Sequence, residues 1–166
     1  MNFVAEVQRW ATSSDERGAA QIAFMNPGGL RTDLGDTAGD GFPETVTYKE
    51  AADVQPFANT LVNVDMTGAQ IQAVLEQQWQ RDAAGNVPSR PVLRLGTSKG
   101  FTYTYVETPV TVNGTATFQG EVTGMWLNGT PIEDATSYSV TVNSFLATGG
   151  DNFRAFPAGA DKAQWG

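Results

Sequence analysis

The chain has 166 residues, enough for one domain with its own core, and its net charge of −8 argues against a nucleic-acid polymer, whose phosphates demand clustered Lys and Arg. It contains neither cysteine nor histidine, which excludes disulfides, thiolate metal sites and imidazole as metal ligand or general base. A hydrophobic content of 40% excludes a disordered chain, and no apolar run reaches membrane-spanning length, so membrane insertion is not expected.

Phe3, Val4, Val7, Trp10 and Ala11 recur at helical spacing, with Gly18 beyond the end of the helix they predict. A short apolar strand, Gln21 to Met25, runs into Asn26-Pro27-Gly28-Gly29-Leu30-Arg31. Thr32 to Pro43 is polar and rich in Gly and Asp, and reads as a loop. Asn59 to Asp65 alternates around Leu61, Val62 and Val64 as a strand. The next helix has the clearest start: Thr67 and Gln70 form a capping box, Met66 can staple to Ile71, and Ile71, Val74, Leu75 and Trp79 make one apolar stripe.

From Val92 the period changes to two. Phe101, Tyr103 and Tyr105 share one face, and Asn113-Gly114 and Asn128-Gly129 are two-residue hairpin turns. The same pairs open glycosylation sequons with Thr115 and Thr130, which the turn reading already explains. Tyr138, Val140 and Val142 alternate in a last strand ahead of Asn143 to Phe153. These elements predict a mixed α+β fold with a β-rich second half. The chain starts inside a helical pattern and stops at Gln164-Trp165-Gly166, so it is expected to be one domain, residues 1–166, cut from a longer protein at both ends.

Three segments could carry chemistry. In Asn26 to Arg31, adjacent glycines allow close backbone approach, Asn offers donor and acceptor, and Arg a planar charged fork. Taken alone, it reads more readily as a strand-to-loop turn with a surface arginine. In Phe145 to Asp151, an aromatic precedes Gly149-Gly150-Asp151; Phe could stack and Asp accept from a ribose diol, or the pair could be a core Phe and a turn. Phe57, after Pro56, is a core residue or a second stacking face. Asp33, Asp36 and Asp40 do not match the alternate-residue spacing of a calcium loop.

In order along the chain, these segments resemble the C-terminal domain of the 5′-nucleotidase family, which includes UDP-sugar hydrolases and 2′,3′-cyclic-nucleotide phosphodiesterases. Asn2-Phe3-Val4-Ala5-Glu6 is similar to the family's Asn-(apolar)-(apolar)-Ala-Asp/Glu helix, and Asn26 to Arg31 to its Asn-x-Gly-Gly-(apolar)-Arg loop. Pro56-Phe57-Ala58-Asn59 resembles its Pro-Phe-x-Asn, Leu95 to Tyr105 its Ser-x-Gly-(aromatic) strand, and Asn143 to Phe153 its Gly-Gly-Asp segment. Pro27 stands where the family usually has Gly.

The resemblance implies an α+β domain of mixed sheets packed with helices that binds the nucleoside part of a substrate. Asn26, Gly28, Gly29, Arg31 and Gly150 would belong to the substrate site, Phe57 and Phe145 stack on the base, and Asp151 hold the ribose hydroxyls. Catalysis would belong to a preceding metallophosphoesterase domain with two divalent metal ions, and this segment would hold no catalytic residue, metal or cofactor of its own. The expected partners are a nucleoside or nucleotide and that N-terminal domain, in an extracellular, periplasmic or cell-wall-associated protein. The other reading is a binding or adhesion module that keeps the fold without the nucleotide.

Overall fold

The structure, a computed structural model, describes residues 1–33 and 45–165. Among these residues four α-helices, α1 (Asn2–Ala11), α2 (Tyr48–Val54), α3 (Gly68–Glu76) and α4 (Ser144–Ala147), pack with eight strands. β1 (Ile22–Met25), β2 (Leu61–Thr67), β3 (Gly96–Thr97), β7 (Ser137–Asn143) and β8 (Ala160–Trp165) form a five-stranded sheet in the order β3-β1-β7-β2-β8. β4 (Phe101–Val112), β5 (Thr115–Leu127) and β6 (Thr130–Pro131) form the second sheet. The fold is the mixed α+β class expected.

Apolar residues of both sheets and of α3 share one core, with Ile22, Phe24, Val64, Met66, Ile71, Leu75, Val140, Val142, Phe153 and Phe156 fully enclosed. The capping box of α3 forms as expected: Thr67 Oγ1 accepts from the Gln70 amide, and the Thr67 amide donates to Gln70 Oε1 at 2.8 Å. Thr67→Ala should therefore cost about 1 kcal/mol, read as a drop of roughly 2–4 °C in thermal midpoint. An unchanged midpoint would show that packing alone sets the start of α3.

The hairpin turns also form as expected. Asn113 and Gly114, and Asn128 and Gly129, all have positive φ, the backbone that joins two strands in two residues without splaying them. β4 and β5 pair along their whole length, but β6 pairs only with Trp126 and Leu127, so the far end is a two-stranded ribbon. Trp79 ties that ribbon to the body. Its Nε1 donates to Glu107 at 2.8 Å, Arg94 stacks on its ring at 4.2 Å, and Gly120 presses its bare backbone against it.

The structure adds to or departs from the sequence reading in several places, one of them β8, which follows the strand expected to be the last. The stripe of α1 faces outward: Phe3 and Trp10 are 75% and 72% exposed, and the buried residues are Ala5 and Gln8. Here α1 lies close on β1, β3 and β7, with Met1 against Gly96, and the small residues Ala5 and Gly96 permit that approach. Periodicity reveals which residues share a face, not which face finds a neighbour. α3 ends at Glu76, and Trp79, buried as expected, lies beyond it in a bridge to Val92. Helix α2 was not expected, although Thr47 and Glu50 form a complete capping box. It buries no residue, so no apolar period announced it. Asp36 and Asp40 of the acidic loop lie outside the described residues, and Asp33 is exposed.

Candidate functional site

Strand directions gather the three segments at one end of the large sheet. β1 and β7 run parallel, with Ile22 beside Val140, so Asn26 after β1 and Phe145 to Asp151 after β7 emerge on the same side. β2 is antiparallel to β7 and starts there, with Leu61 opposite Asn143, which brings in Phe57 and Asn59 just ahead of it. A ligand site beyond the carboxyl ends of parallel strands follows the general logic of such sheets.

The result is a cavity of about 380 Å³, within the range of small-molecule clefts, lined by Asn26, Gly28, Gly29, Arg31, Phe57, Asn59, Arg90, Phe145 and Asp151. Both aromatic rings are open to solvent, Phe57 at 54% and Phe145 at 44% exposure, so neither is the core residue it could have been. Gly150 does not line the cavity; a Cβ there would collide with the Phe145 ring, so glycine lets that ring lie on the backbone. Gly29 likewise leaves room for the Met25 methyl group.

A chain of buried amides sets Asp151. The Asn143 side chain accepts from the Leu146 amide at 2.9 Å, capping α4, and its Nδ2 donates to Asn26 Oδ1 at 3.0 Å. Asn26 Nδ2 then donates to Asp151 Oδ2 at 2.8 Å. Asn26 and Asn143 are 3% and 2% exposed, so this relay is locked by packing.

Asp151 has φ 52° and ψ 31°, and Asn152 has φ 61°, left-handed backbone that Asp and Asn tolerate better than other side chains. Ala58, between Phe57 and Asn59, also has positive φ, at 50°, without a side chain suited to it. Strain of this kind clusters where a fold holds groups for a ligand.

Pro27 fits its place without loss. It opens a 3-10 turn, Pro27–Gly29, where its missing amide would have had no helical partner. The Arg31 amide donates to Val54 at the end of α2 at 3.0 Å, and its guanidinium lies 5.7 Å from the centre of the Phe57 ring.

Two lining residues were not singled out from the sequence. Asn59 stood in the quoted Pro-Phe-x-Asn run, and its Oδ1 accepts from Ser144 at 3.1 Å. Arg90 carried no local signal: it sits in the connection from α3 to β3 and reaches Asp151 Oδ1 at 3.9 Å only through the tertiary fold. The cavity thus offers two flat apolar faces, one oriented carboxylate and two guanidinium groups.

Residues 1–158 match the model of the 5′-nucleotidase C-terminal domain. The chain is 35% identical to a cell wall protein of Listeria monocytogenes over 93% of its own length and 18% of the relative's. It is 32% identical to a 5′-nucleotidase of Vibrio vulnificus over 86% of the chain and 21% of that protein. A 5′-nucleotidase precursor from Thermus thermophilus superposes with a TM-score of 0.65 at 26% identity, over 98% of this chain and 28% of that structure. The sequence thus spans a minor part of the proteins it matches. On the family match, carried over nearly its whole length, the chain belongs to the family of 5′-nucleotidase C-terminal domains.

Proposed function

We propose that the cavity binds the nucleoside part of a nucleotide, and that the chain is the substrate-binding domain of a nucleotidase-type phosphoester hydrolase, without catalytic residues of its own. The observation that carries this reading is the placing of an oriented carboxylate, Asp151, in one cavity with two exposed aromatic rings, Phe57 and Phe145. The rings stack on a base, Asp151 accepts from the ribose hydroxyls, and Asn26, Asn59 and Arg31 supply the remaining polar contacts. In a protein of charge −8, stacking offsets an unfavourable overall field.

Hydrolysis of this type would use two divalent metals, and on this reading they are not held by this domain. The chain lacks His and Cys, and no group of three metal-ligating side chains converges among the described residues. They belong to a separate metallophosphoesterase domain, and the outward apolar residues of α1, Phe3, Val7 and Trp10, offer a surface on which a partner domain can pack. The cell wall relative supports placing the parent protein at the cell envelope.

Titration with adenosine and with AMP, followed by aromatic NMR shifts, tests the reading. Phe57→Ala and Phe145→Ala should each weaken adenosine binding roughly 5- to 150-fold, the loss of 1–3 kcal/mol of stacking. Unchanged signals from both rings at millimolar adenosine and AMP would overturn it in favour of a binding module that keeps the fold alone.

A further inference from the structure

Arg90 is the part of the cavity wall that comes from neither of the two parallel strands' exits nor the entrance to β2. Its position is loose where Asp151 is tight. Asp151 Oδ2 is held by Asn26 at 2.8 Å, while Arg90 meets Oδ1 at 3.9 Å, the outer limit of an ion pair. The Arg90 side chain is 64% exposed and that of Asp151 is 14% exposed. Exposed pairs of this geometry contribute little, so little is lost when one breaks. Among the described residues Arg90 has no second carboxylate in reach, and Arg31 has none. Among the described residues that line it, the cavity sets two guanidiniums against one carboxylate, in an acidic protein.

That imbalance has a chemical consequence. A vicinal diol donating to Asp151 would compete with Arg90 for the lone pairs of Oδ1, the oxygen that Arg90 faces. The guanidinium is then free, long enough to swing, and exposed to whatever anion the same ligand carries. Its planar fork suits a phosphate better than a single point charge does.

We propose that Arg90 is a specificity-determining residue that binds the phosphate of a bound nucleotide, leaving Asp151 as the ribose takes that carboxylate. The proposal rests on the nucleoside reading of the cavity. The phosphate can be carried at the 5′ position or on a ribose hydroxyl; both present the same anion to Arg90, and the test separates them.

Calorimetric titrations of the whole chain with adenosine, 5′-AMP and 3′-AMP should be run for the wild type, Arg90→Ala and Arg90→Lys. In the wild type, one phosphate isomer binds more tightly than adenosine and identifies the phosphate that Arg90 meets. Arg90→Ala removes that preference, roughly tenfold or more, while adenosine binds as well as before or more tightly. Arg90→Lys keeps part of the preference, because the charge remains and the fork is lost. Equal weakening of adenosine and the preferred nucleotide by Arg90→Ala would overturn the proposal, because Arg90 would then only orient Asp151. An unchanged nucleotide preference in Arg90→Ala would overturn it too. A wild type that binds adenosine but prefers neither phosphate isomer over it sinks this proposal alone, whereas a wild type that binds none of the three ligands sinks the nucleoside reading with it.

Discussion

Asn143→Ala should destabilise the domain by about 2–4 kcal/mol and weaken nucleoside binding at the same time. The substitution removes the cap of α4, worth about 1 kcal/mol, and leaves the buried Asn26 Oδ1 without its donor, a further 1–3 kcal/mol or so. In a domain of this size, that amounts to a drop of roughly 5–15 °C in thermal midpoint. Asn26 then has less to hold it, and Asp151 loses the orientation that its 2.8 Å bond from Asn26 provides.

Asn26→Ala is the matching control. It removes the bond to Asp151 itself, and a polar group that lines the cavity, but keeps the Asn143 cap on the Leu146 amide, so it should cost less stability while weakening binding at least as much. Denaturant midpoints and adenosine titrations of both variants read the two effects apart. If Asn143→Ala lowers the midpoint and leaves affinity at the wild-type value, the amide relay has no part in setting the carboxylate.

Trp79→Ala should cost about 3–5 kcal/mol, in the range of large aromatic truncations in a core. Trp79 is 2% exposed and is the common contact of Arg94, Tyr105, Glu107 and Gly120. Without it, Glu107 keeps only Arg94, and the base of the β4–β5 ribbon faces a void. Among the described residues the ribbon beyond Tyr105 has no third strand, only side-chain bonds from Arg81 and to Asn86, and two-stranded ribbons with little else to pack on are marginal in water. Amide exchange should therefore speed up in residues 105–118 before it does in β1, β2 and β7. Trp79 does not line the cavity, so adenosine affinity should be unchanged wherever the variant is folded. A uniform loss of protection across both sheets would show that Trp79 supports the whole core rather than the ribbon.

Much of the local structure was legible because its causes are local. The capping box of α3 needs only Thr67 and Gln70 three residues apart, and the hairpins need only Asn-Gly between alternating runs. Helix α2 had the same kind of signal in Thr47 and Glu50, but no apolar period stood behind it to confirm a helix. The segments that line the cavity were legible as an ordered set, because Asn26, Arg31, Phe57, Phe145 and Asp151 each lie near an element whose end could be read.

The sequence by itself determined the fold class, the ends of most elements and which short segments could bear chemistry, since capping, turn geometry and hydrophobic period act within a few residues. Only the tertiary structure decided exposure and company. It turned Phe57 and Phe145 out of the core, sent the apolar stripe of α1 outward, and brought Arg90 from a loop without signal to Asp151. The reason is one of range. Whether a side chain is buried depends on what the rest of the chain lays against it, and the parallel pairing of β1 with β7, set by residues more than a hundred positions apart, made one cavity of the three segments.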